Sequence, residues 1–102
     1  MVIEQIRYFI ELERRDEVVA ARQSITHLRR NNGMPPGHIL LADCEPDEGP
    51  CVVWQCGYVD EAQLGLGESQ LIGNEEYEAA RQRLTELEPR VEIELYTAAG
   101  ED

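Results

Sequence analysis

A chain of 102 residues with 42% hydrophobic and 29% charged content is sized and mixed for one soluble domain, too apolar to be disordered and too polar to be membrane-embedded. Its formal charge of −12 comes from 21 acids against nine cations, all of them arginines scattered among acids, which argues against the clustered positive surface that a nucleic-acid binder needs. Three readings of the acidity stand: a solvated surface that keeps the protein soluble, adaptation to high salt, or a decoy that imitates DNA before a basic protein partner.

Residues 2–12 alternate, with Val2, Ile6, Tyr8, Ile10 and Leu12 on one parity and Ile3, Gln5, Arg7, Phe9 and Glu11 on the other, and predict a first strand. Asp16 is placed to cap a helix whose apolar stripe is Val18, Ala21, Ile25 and Leu28, closed by "RRNNG" with cations in the last turn and Gly33 beyond it. "MPPG" cannot continue a helix and marks a loop. "HILLADC" and "CVVWQCGYV" then read as two strands of a hairpin around the loop 45–50, "EPDEGP". Asp60 and Gln63 form a capping box for a helical piece over 61–72, weakened by Gly65 and Gly67. Asn74 restarts the helix with the stripe Tyr77, Ala80, Leu84 and Leu87, Pro89 lies past its end, and "RVEIELYT" alternates as a last strand.

The order β-α-β-β-α-β over residues 1–102 is the ferredoxin-like α+β arrangement, an antiparallel four-stranded sheet with its helices on one face. The other face is left bare. It carries Phe9 and Tyr96 beside charges that can pair, and this predicts a sheet-to-sheet partner, a second copy of the chain. The N-terminus has no basic segment followed by an apolar one, and no run reaches the roughly 18 to 20 apolar residues of a membrane span, so a cytoplasmic protein is expected. There Cys44, Cys51 and Cys56 are expected to stay reduced and buried, with a strained Cys44–Cys51 bridge across the hairpin as the redox alternative. Their spacing fits no metal pattern, and with His27 and His38 the only histidines, no metal site is expected.

"MVIEQIRYFIEL", "VVWQCGYVDEAQL" and "GNEEYEAARQRLTELEPRVEIELY" resemble the opening strand, the central strand running into a kinked helix, and the closing helix and strand of the dimeric α+β barrel superfamily, in particular its NIPSNAP-type and antibiotic-biosynthesis-monooxygenase-type members. The resemblance implies two copies packed sheet to sheet, with a pocket in each between sheet and helices. Its members include cofactor-free oxygenases, haem-degrading enzymes and small-molecule isomerases. The haem-degrading ones hold iron through a histidine of the second helical region, and residues 61–90 contain none. No cofactor is therefore expected.

Within that frame a hairpin loop of 45–50 sets Cys44 against Cys51, Asp43 against Val52, Leu41 against Trp54 and Ile39 against Cys56. Putting Gln55 on the polar side with Arg7 and Glu92 turns the opposite face toward the helices. The expected substrate-binding lining is then Tyr8, Asp43, Trp54 and Tyr58, with Ile6, Leu41 and Ile93 as aliphatic neighbours. The same aromatic set also reads as ordinary core with hydrogen-bonded tips. No nucleophile–base pair is legible, and His27, about 200° from Ile25 around an ideal helix, faces solvent. The expectation is a small-molecule-binding protein, extending to cofactor-independent oxidation of a small organic substrate with Asp43 accepting a proton. Its alternatives are a non-catalytic homodimer and the acidic decoy.

Overall fold

The computed structural model describes residues 1–100. Four strands, β1 (Val2–Phe9), β2 (His38–Leu41), β3 (Val52–Tyr58) and β4 (Arg90–Thr97), form one antiparallel sheet in the order β2-β3-β1-β4. Three helices, α1 (Arg15–Asn31), α2 (Glu61–Leu66) and α3 (Glu75–Leu87), complete the ferredoxin-like α+β fold. No helix among the described residues is long and apolar enough to cross a membrane.

Local chemistry sets most boundaries where the sequence puts them. The Asp60 carboxylate accepts from the Gln63 N–H at 2.9 Å, and the Gln63 side chain reaches back to the Val59 N–H at 2.7 Å, one residue earlier than in the standard box. Asn74 accepts from the Tyr77 N–H at 3.0 Å and starts α3, whose first turn carries Glu75, Glu76 and Glu78 against the positive end of the helix dipole. Helix α1 ends in a Schellman turn: the Met34 N–H donates to Arg29 and the Gly33 N–H to Arg30, with Gly33 at φ 72°.

Three boundaries depart from expectation. Strand β1 stops at Phe9, because Leu12–Arg14 close into a 3-10 turn that leads directly into α1. Asp16 is therefore inside the first helical turn and caps nothing; the N-cap position falls on Arg14, which makes no side-chain cap bond. The hairpin is also wider than the 45–50 loop. Its register pairs Leu41 with Val52 and Ile39 with Trp54, two residues from the expected pairing, because Glu45 to Glu48 form their own turn and residues past Leu41 leave the sheet. A slip of two preserves the pleat, so Trp54 keeps its face.

That face is the buried one. Glu4, Ile6 and Tyr8 of β1 lie opposite Cys56, Trp54 and Val52 of β3, and on this side β3 buries Val52, Trp54, Cys56 and Tyr58 beneath the helices. The stripes of α1 and α3 pack as Ala21, Ile25 and Leu28 with Tyr77 and Ala80, while Val18 and Leu87 join Tyr8 and Val52. Burial does not extend to the edges of the sheet. Leu41 on β2 and Ile93 on β4 are exposed, since helices wide enough to cover two central strands leave the flanking pair open. On the bare face Gln5 bonds Gln55 at 2.8 Å, Arg7 donates to Tyr96 Oη at 3.0 Å, and Phe9 lies buried beneath the Arg90 guanidinium, 3.7 Å from the ring centroid.

Candidate functional site

Of the four residues expected to line a site, the fold brings three to the space between sheet and helices. Tyr8, Trp54 and Tyr58 are all buried. Asp43 is not among them: beyond the end of β2 its carboxylate is 85% exposed and pairs with Arg15 Nη1 at 2.5 Å. It cannot take a proton from anything held beside Trp54. Leu41 and Ile93 likewise fall outside the lining, and His27 is exposed, beside Asn31.

Two arginines that the apolar stripe of α1 conceals are the surprise of the site. Arg22 and Arg29 stand four residues beyond Val18 and Ile25, seven residues apart on the inward face, and both are almost fully buried. A cation on a stripe position was the available signal, and it is readable only when that position is known to have no route to water. Both guanidinium groups stack on Trp54, with Cζ to ring-centroid distances of 4.4 Å for Arg22 and 4.8 Å for Arg29. The indole N–H donates to the Pro36 carbonyl at 3.0 Å. Gly37 at φ 74° is what lets that loop come so close, since a Cβ there would lie 2.6 Å from Trp54 Nε1.

Arg29 is the centre of a closed network. Its Nε donates to the Pro35 carbonyl at 2.7 Å, Nη1 to Glu68 Oε2 at 2.8 Å, and Nη2 to Tyr58 Oη at 3.1 Å. Tyr58 in turn donates a hydrogen bond to Glu4 Oε1 at 3.0 Å, and Tyr77 donates to Glu68 Oε1 at 3.0 Å. Burial pushes the phenols of Tyr8, Tyr58 and Tyr77 above the usual tyrosine range, so all three stay protonated donors at neutral pH. Of the cysteines, Cys56 joins the network: its sulfur accepts from Arg29 Nη2 at 3.8 Å and its thiol lies 3.7 Å from the Pro35 carbonyl. All three are free thiols; burial raises that of Cys51, which donates to the Ile10 carbonyl at 3.5 Å, while Cys44 donates to that of Pro50.

Two hollows share Glu68. The smaller, about 150 Å³, lies beside Trp54, Arg29 and Tyr58, below the roughly 300 Å³ at which small-molecule sites begin. The larger, about 450 Å³, is within that range and is walled by Tyr8, Arg22, Ile25, Tyr77 and Arg81. A groove of about 570 Å³ between α1 and α3 is bigger, but it is walled by four alanines, Ser24, Glu76 and the Glu17–Arg83 ion pair and holds none of the buried aromatic groups. Trp54 is thus core with a satisfied polar tip, and the ligand-sized space lies on the Tyr8 and Arg22 side.

Compared by sequence, the chain matches no protein-family model and no curated protein. Compared by structure, it is similar to the crystal structure of a "putative antibiotic biosynthesis monooxygenase" from Deinococcus radiodurans, with a TM-score of 0.56 at 16% identity, covering 100% of this chain and 96% of that one. The two chains share their fold over their whole lengths. At that identity the likeness carries the fold and leaves the chemistry to this chain's own residues.

Proposed function

We propose that the protein binds a small organic molecule in the 450 Å³ hollow between its helices and its sheet, and that it can oxidise that molecule with dioxygen and no resident cofactor. The observation that carries the reading is the convergence there of buried phenols with a buried guanidinium, on a fold shared with a protein described as a monooxygenase. Tyr8 supplies a donor to a substrate oxygen on which negative charge develops, and a buried donor is worth more than one in water. The substrate would be one whose own deprotonated form gives electrons to dioxygen, such as a hydroquinone. Glu68, at the edge of both hollows, replaces Asp43 as the carboxylate placed to receive its proton. An oxygen electrode tests this: uptake above the spontaneous rate with hydroquinones, lost in Glu68→Gln, is expected. Saturable binding with no uptake would leave a binder without the oxidation, and absence of both would end the reading.

We also propose that the bare face of the sheet packs against a second copy. Leu40 and Tyr96 are exposed on it, and β4 exposes Val91, Ile93 and Leu95 on its other side, more apolar surface than one edge strand ordinarily leaves to water. Light scattering should give twice the chain mass at micromolar concentration; a folded monomer there would refute the interface.

A further inference from the structure

The 450 Å³ hollow has a neighbour on the same helix. A second hollow, of about 320 Å³, shares three walls with it, Tyr8, Arg81 and Leu84, and adds Thr85, Pro89 and Val91, with Glu88 at its exposed edge. The α3 positions that line the pair, Tyr77, Arg81, Leu84 and the C-cap Glu88, recur at spacings of four, three and four and so fall on one face of the helix. The two hollows therefore follow one another along that face over roughly 16 Å. Leu84, half-buried and common to both, stands where one gives way to the other.

Their chemistry differs. The larger hollow has the Glu68 carboxylate on its wall, whereas the smaller is floored by Leu84, Pro89 and Val91. The polar side chains of the smaller one are engaged elsewhere: the Thr85 hydroxyl donates to the Arg81 carbonyl at 3.1 Å, and the Arg81 guanidinium lies 5.6 Å from the centroid of the Tyr77 ring. None of the buried, unpartnered polar atoms among the described residues belongs to its walls. Such a space rewards an apolar occupant, which dries Leu84, Pro89 and Val91 and asks for no hydrogen bond. Val91 also begins a strip. It lies opposite Tyr8 and Ile93 opposite Ile6, so Val91, Ile93 and Leu95 all stand exposed on the helix side of β4, where a second copy packed on the bare face does not reach.

We propose that the two hollows form one elongated site for an amphipathic molecule, with a phenolic ring in the larger hollow beside Tyr8 and Glu68 and an alkyl chain that runs past Leu84 into the smaller one and lies on Val91. This rests on the reading of the larger hollow as a ligand site and names the class of molecule it takes, an alkyl-substituted phenol or hydroquinone in place of a bare ring. The shared walls carry the continuity from head to tail. The apolar floor and the engaged polar groups carry the choice of a chain over a second polar group. The exposed apolar strip beyond Val91 gives a longer chain further surface to cover.

The test is a chain-length series, para-cresol, para-ethylphenol, para-butylphenol and para-hexylphenol, titrated calorimetrically into the full chain. Each added methylene should tighten binding at least about twofold, less than complete burial gives because the groove is open on one side. A charge placed in the smaller hollow should abolish that gain, so in Val91→Asp and in Thr85→Glu the hexyl compound should bind within about threefold of cresol. Both positions are exposed, and either variant carries the test if the other folds poorly. Val59→Asp puts the same charge on an exposed residue that lines neither hollow, and there the gain per methylene should match wild type. Cresol binding with no gain along the series, or a gain that survives both Val91→Asp and Thr85→Glu, would overturn the chain site and leave the ring site standing. No binding of any member would overturn both.

Discussion

Arg22 and Arg29 lie two helical turns apart on one face of α1, stack on the same indole, and are buried to almost the same degree, yet one has all three nitrogens hydrogen-bonded and the other has two nitrogens without a well-formed hydrogen bond. Burial and residue type therefore do not say what a charged group is for. What separates them is the neighbourhood: Arg29 meets the Pro35 carbonyl, Glu68 and Tyr58, and thereby ties the end of α1 to the α2–α3 connection and to β3, whereas Arg22 meets the Trp54 ring and Tyr8 and pairs with no carboxylate among the described residues. A cation whose partners all come from the protein is a brace.

Replacing each arginine by methionine is the sharpest way to break this comparison. Arg29→Met strands the buried side of Glu68 and the Tyr58 hydroxyl, so it should cost about 3–5 kcal/mol of unfolding free energy, read from denaturant midpoints. The alkaline limb of stability should show a smaller effect. Tyr58 holds its proton in the folded state to a higher pH than in the unfolded chain, where it ionises near 10; above about pH 10 the unfolded state therefore binds fewer protons and stability falls as pH rises. Below that the contribution is constant. Burial of Cys51 adds to the same slope from slightly lower pH, and Tyr58→Phe should make the decline shallower without removing it. The smallest change belongs to Arg22→Met without ligand. Losing the stacking and losing an unpaired buried charge oppose each other, and the midpoint should stay within about 1 kcal/mol of wild type. A loss comparable to that of Arg29→Met would make Arg22 a second brace.

Tyr8, Trp54 and Tyr58 share the buried face that the sequence assigns them, because alternation along β1 and β3 puts them on one side whatever the register, and a two-residue slip leaves that side unchanged. Asp43 does not share that face, because alternation holds only while the strand lasts, and β2 ends at Leu41. Leu41 and Ile93 keep the expected parity and still face water, since parity assigns a side of the sheet and says nothing of whether a helix lies over it.

The sequence by itself determined the element order, the polarity of the sheet's two faces and the caps at Asp60 and Asn74, because strand alternation, helical spacing and cap bonds join residues within a few positions of one another. Only the tertiary structure decided which cations of α1 are buried and which of them are matched. Arg29 finds Glu68 39 residues away and Tyr58 29 residues away, whereas Arg22 lies against Trp54 and Tyr8, with no well-formed hydrogen bond for its Nε and Nη2 and no carboxylate paired with it among the described residues. A charge is hidden or satisfied by groups from other elements, and no local pattern records whether those groups arrive.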